Sequence, residues 1–137
     1  MKYAKAWAIT AVSYFVIDLL ARMFILGPLA ASETAGIIKS MQEVNMPVLM
    51  LEYILLPAAI IYLLLQTPAL KNPRPYAFKL GLVLGLAVFG MYELLNSLLL
   101  LKWASAGVSV VNAVGGAVII GLVTIIAAWA LKKFNSK

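Results

Sequence analysis

Six strongly polar side chains lie inside long apolar runs of this sequence: Asp18, Arg22, Glu52, Glu93, Asn96 and Asn112, with Tyr14 and Tyr92 close by. Three carboxyls, a guanidinium and two amides can bind a proton, a small cation or an amine, or can hydrogen-bond one another. Their spacing favours gathering. Tyr14 precedes Asp18 by four positions and Arg22 follows it by four, while Asn96 follows Glu93 by three and Ser109 precedes Asn112 by three. Positions three or four apart share one face of a helix. The octapeptide "GMYELLNS" (90–97) shows the problem these residues pose, because it is flanked by "LGLVLGLAVF" and "LLLL". A charged group in the middle of a bilayer costs at least about 2.5–3.5 kcal/mol, which drives such groups inward and together. Fully ionised, three carboxylates against one guanidinium carry −2, and a low dielectric does not tolerate that charge uncompensated. Arg22 can take one carboxylate in a bidentate pair. The others need a proton, water or a guest.

The rest of the composition narrows the chemistry. The chain has no cysteine and no histidine, which excludes disulfides, thiol catalysis, imidazole-held zinc or haem, and Ser-His triads. A metal would have to be a hard cation on oxygen ligands, and no metal-ligand spacing, cofactor motif or phosphate loop is present. The cofactor is left unknown. The net charge of +6 comes from residues near helix ends and forms no patch, so nucleic acid is not expected as a partner.

What positions the polar residues is a set of apolar helices. Of 137 residues 64% are hydrophobic and the mean hydropathy is +1.01, well beyond the roughly 45–50% of soluble domains. The expected architecture is all-α: a single integral membrane domain over 1–137, a four-helix bundle with spans at about 4–26, 46–65, 76–101 and 107–131. Each stretch reaches the ~20 apolar residues a crossing requires. "GP" (27–28) is expected to end the first span, "TPALKNPRP" separates the second and third, and "KWASAG" links the last two. Between the first and second spans, Ile37, Ile38, Met41 and Val44 recur at helical spacing. This predicts a short interfacial helix over 32–44, with an ordinary loop as the alternative. The first span is too long, and too charged at Asp18 and Arg22, for a signal peptide.

Basic residues set the orientation. Lys2, Lys5, Lys71, Arg74, Lys79, Lys132, Lys133 and Lys137 fall on one side, against Lys39, Lys102 and Arg22 on the other. The positive-inside rule then makes both termini cytoplasmic in a cell (inner or plasma) membrane. Trp7, Tyr62, Tyr76 and Trp129 fall near the inner boundary and Trp103 near the outer one.

Depth follows from the rise of about 1.5 Å per residue, which puts Asp18 and Glu93 roughly 12 Å below the outer ends of their spans, Glu52 about 9 Å and Asn112 about 7–8 Å. One polar layer in the outer half, shared by all four helices, is the expectation. Pro57 removes an N–H and frees the Tyr53 carbonyl beside Glu52; compensation by neighbouring helices is the plainer reading of that proline. Gly81, Gly85, Gly115 and Gly116 read as helix-packing positions in a sealed inner half.

The stretch "GLAVFGMYELLNSLLLLKWASAGVSVVNAVGG" (85–116), with "YFVIDLL" (14–20), resembles the signature of small prokaryotic four-helix membrane proteins catalogued as domain of unknown function 2177. Asp18, Tyr92, Glu93, Asn96 and Trp103 fall on motif positions. Glu93 stands for an aspartate of the pattern, Leu95 for a threonine, Asn112 for a second aspartate and Gly115 for a tryptophan. The resemblance implies the four-helix membrane fold and supplies no reaction.

Two functions compete. One is binding or transport of a proton, cation or small amine at the outer carboxylates, with the protein working as a homo-oligomer. The other is an accessory subunit of a larger membrane complex, in which the polar layer only fixes helix register. The open charge count favours the first. An intramembrane enzyme ranks lowest for want of a catalytic motif.

Overall fold

The computed structural model describes residues 2–29, 46–67, 73–99 and 105–135. The interfacial segment expected over 32–44, the link residues 68–72 and 100–104, and with them Lys39, Lys71, Trp103 and Lys102, lie outside the described residues, as does Lys137. Among those described, every element is a helix. Helix α1 (Lys2–Ala21) continues without a break into a π-helical turn, Arg22–Leu26. Helix α2 spans Met46–Gln66, α3 Pro73–Leu99 and α4 Ala106–Asn135. Three stretches are long and apolar enough to cross a membrane, Tyr3–Leu29, Pro75–Asn96 and Ala106–Phe134; the second helix contributes a shorter apolar stretch, Met50–Gln66.

The end of α1 differs from expectation. "GP" does not stop the helix, which runs on through Leu29. Pro28 has no N–H to give and its ring crowds the preceding turn. The chain answers with an extra residue in that turn, closed by the Gly27 N–H on the Arg22 carbonyl. A Cβ on Gly27 would run into that same carbonyl oxygen, so glycine is what lets the wide turn close. At the start of α4, Ser105 is the cap: its carbonyl takes the Ser109 N–H (3.0 Å) and its hydroxyl the Val108 N–H (3.4 Å).

Helix α4 is the centre of the bundle, packing most extensively on α3, then on α1, and lightly on α2. The α3–α4 seam is built from small residues. A Cβ added to Gly81 would lie 2.5 Å from Thr124 Oγ1 and 2.7 Å from the Gly121 Cα, and one on Gly85 would lie 2.5 Å from the Ala117 Cα. Rings close both ends of the seam, Phe78 over Gly121 and Phe89 over Gly116. Two backbones in direct contact maximise dispersion, the main attraction left between helices once lipid is as apolar as leucine. Gly115 meets Leu26 of the π turn instead. The core then fills with Ala6, Ile60, Leu64, Ala77, Ile120, Val123, Ala127 and Leu131, all buried. Two hydroxyls buried there, Thr10 and Thr124, bond back to the carbonyls of Ala6 and Ile120 (2.8 and 2.7 Å) and present no free polar group.

Candidate functional site

Asp18 is the most enclosed of the charged candidate side chains, 1% exposed. It lies on a buried ladder of α1 at Ala6, Thr10 and Tyr14. Steps of four on a helix of 3.6 residues per turn drift by about 40° each. By Arg22 that drift has carried the side chain out of the core, and the π turn then brings Leu26 back in, where it is buried. From its outward position Arg22 reaches back, Nε donating to Asp18 Oδ2 at 2.8 Å. The Tyr53 hydroxyl donates to the same oxygen at 2.7 Å. Asp18 Oδ1 is buried and has no hydrogen-bond partner among the described residues.

One residue away, Glu52 accepts a short hydrogen bond, 2.6 Å, from the Tyr14 hydroxyl. The rings of Tyr14 and Tyr53 lie 5.0 Å apart, and Phe15 meets Tyr53 edge-on at 5.2 Å. Two carboxylates, one guanidinium and three aromatic rings thus converge where α1 crosses α2. Nearby, the Trp7 indole N–H donates to the Ile54 carbonyl (3.1 Å), two residues beyond Glu52 and within the turn loosened by Pro57.

Glu93 and Asn112 form a second group, between α3 and α4. Asn112 Nδ2 donates to Glu93 Oε1 at 3.3 Å, and Glu93 is buried. Asn96 is part-buried, with its Nδ2 enclosed and unbonded. Tyr92, at the next position to Glu93, is exposed.

Among the described residues the hydrogen bonds of these side chains join α1 with α2 and α3 with α4, where the sequence suggested one layer. Placement also differs at Glu52, which remains exposed. The reason is geometric. Adjacent helical positions point about 100° apart, and Tyr53, not Glu52, takes the inward place. Tyr53 is the participant that sequence reading missed. Its position beside Glu52, at the depth of the other polar residues, was the available signal; only its carbonyl, freed by Pro57, drew notice.

Magnitudes separate the two carboxylates of the first group. Interhelical hydrogen bonds in membranes are worth about 0.6 kcal/mol on average and up to about 1.7. Asp18 receives one such bond, from Tyr53, and adds the ion pair with Arg22 one turn further along its own helix, a charge-assisted contact worth roughly twice a neutral one; together they come near the insertion cost of a charge. Glu52 receives the single bond from Tyr14, which does not. Among the described residues the ion pair of Arg22 is the one with Asp18, so the group carries one negative charge in excess when both carboxyls are ionised. Among these residues, too, no three carboxylates gather closely enough to hold a metal ion.

The profile of a family described as "Predicted membrane protein (DUF2177)" matches residues 3–129. No curated protein matches the chain, and no solved structure matches it.

Proposed function

We propose a function on the premise that the chain belongs to the Predicted membrane protein (DUF2177) family: it binds, and moves across the membrane, a proton or a small protonated amine at the Asp18–Glu52 pair. The observation that carries this reading is the charge count at the α1–α2 crossing. Two carboxylates share one guanidinium, and Asp18 holds a buried, unpartnered oxygen. A proton or an ammonium supplies the missing charge, at carboxylates that already accept the Tyr14 and Tyr53 hydroxyls. Ligation by a bare metal ion would call for more oxygen ligands than this pair offers. On this proposal the protein sits in the cell membrane with both termini cytoplasmic, works as a homo-oligomer or beside other membrane subunits, and has no enzymatic role.

The test uses purified protein in proteoliposomes, challenged with a pH gradient and separately with methylammonium. Wild type takes up or binds one of them, and Asp18→Asn and Glu52→Gln each lose about tenfold, some 1.4 kcal/mol, while still folded. Retention in both variants, or silence of the wild type to both probes, overturns the reading. Orientation has its own check. Ser40→Cys and Ser136→Cys in the cysteine-free chain label from opposite sides of the membrane.

A second reading, an accessory subunit, is favoured by the Glu93–Asn112 pair, which is bonded within the bundle. It predicts copurification with other membrane proteins in a fixed ratio and no response to either probe.

A further inference from the structure

Two charged side chains of the α1–α2 crossing remain on the outside of the bundle. Arg22 has 53% of its side chain exposed, and Glu52 is exposed as well. Each is only partly engaged: Arg22 through Nε on Asp18, Glu52 through Oε1 under Tyr14. They flank the Tyr53–Asp18 hydrogen bond, one from each helix. Their depths are comparable, with Arg22 roughly 6 Å from Leu26 and Glu52 roughly 9 Å from Met46 along their helices at about 1.5 Å per residue. The surface around them is apolar, with Phe15, Leu19, Met23, Leu51 and Leu55 exposed. Hydrocarbon solvates neither charge.

A patch bearing one cation and one anion at matching depth on adjacent helices is complementary to itself under a two-fold axis along the membrane normal. In such an isologous contact residue i meets j while j meets i. We propose that a second copy of this chain docks on the α1–α2 face, Arg22 of each copy pairing with Glu52 of the other. Each guanidinium then bridges Asp18 of its own chain, through Nε, and Glu52 of the neighbouring copy, through the terminal nitrogens. The fork of guanidinium donors suits that bridging role. The inference deepens the assembly part of the reading above and rests on its membrane placement. It leaves one excess negative charge per copy, so the requirement for a guest stands or falls separately.

The experiment pairs two tagged versions of the chain, one with Arg22→Glu and one with Glu52→Arg, and reads dimers by disulfide cross-linking through Leu51→Cys. Alone, each version sets like charges across the axis, and its cross-linking falls about tenfold, the equivalent of roughly 1.4 kcal/mol. Expressed together, they restore both ion pairs, and cross-linked product returns as the mixed species only. Wild-type cross-linking by either version alone overturns the proposal. So does failure of co-expression to rescue. Glu52→Gln, which leaves the Arg22–Asp18 pair in place, covers the case that Arg22→Glu unfolds. Its cross-linking must fall at least about threefold with an unchanged unfolding midpoint, and unchanged cross-linking overturns the proposal. The pH-gradient and methylammonium assays on the same wild-type sample separate the two ideas. A dimer silent to both probes sinks the guest alone, and a monomer that responds to either sinks the dimer alone.

Discussion

The half of the bundle around Gly81, Gly85 and Thr124 and the half around Asp18 are built on opposite principles. In the first, small residues let α3 and α4 touch backbone to backbone, and Ile60, Leu64, Ile120, Val123 and Leu131 fill what is left. Its polar atoms are consumed locally, as at Thr10 and Thr124. In the second, large side chains stand between the helices, hydroxyls reach across to carboxylates, and charge remains at the surface. One half is held by dispersion and tolerates little change in volume. The other is held by a few directional bonds, and its polar side chains can accept another partner. On the proposed function, stability resides in the first and binding in the second.

The sharpest way to break this comparison is overpacking. Gly85→Leu forces the α3–α4 seam apart, and thermal unfolding in detergent micelles should show the midpoint lowered by roughly 5–10 °C. A midpoint that does not move would mean the seam is not the main source of stability. Next in size is Asp18→Ala, which leaves the Tyr53 hydroxyl and Arg22 without their acceptor and costs about 1–3 kcal/mol in the same assay. Asp18→Asn keeps an acceptor for Tyr53 and costs less, so the interval between the two variants isolates the charge. Smaller again is the Tyr14–Glu52 bond. A double-mutant cycle of Tyr14→Phe with Glu52→Ala should return a coupling of about 0.5–1.7 kcal/mol. At the bottom, Val83→Leu on the exposed side of α3 changes stability by no more than about 0.5 kcal/mol. A large effect there would show that this face, too, is covered.

The helices were legible because length and hydropathy report directly on the solvent. A run of some 20 apolar residues has few other uses. Gly81 and Gly85 could be read for the same reason, since small residues four apart on a membrane helix have a well-understood task. The continuation of α1 past Gly27 and Pro28 was not legible. Those two residues punctuate a soluble helix, and only the extra residue of a π turn, with the glycine closing it, reconciles them with a helix that goes on. Nor could depth alone tell which polar residues meet. Depth is one coordinate and rotation about the helix axis is another, and a helix drifts by about 40° for every four residues. That drift put Arg22 outside, and the 100° step between neighbours gave Tyr53 the inward place and left Glu52 at the surface.

The central position of α4 has a consequence for how the protein is made. The helix that touches all three others is the last of the four to leave the ribosome. When α3 is already in the bilayer its glycine face, Gly81 and Gly85, still has only lipid against it. The donors and acceptors of the α1–α2 crossing all belong to those two helices, so the Tyr53–Asp18 and Tyr14–Glu52 bonds can form while the chain is still being synthesised. This order predicts assembly in two acts, a polar clasp between the first two helices and then a dry closure when α4 arrives between α1 and α3. A nascent chain arrested before Ala106 would display the clasp without the seam, and that intermediate is the one a membrane quality-control protease would meet.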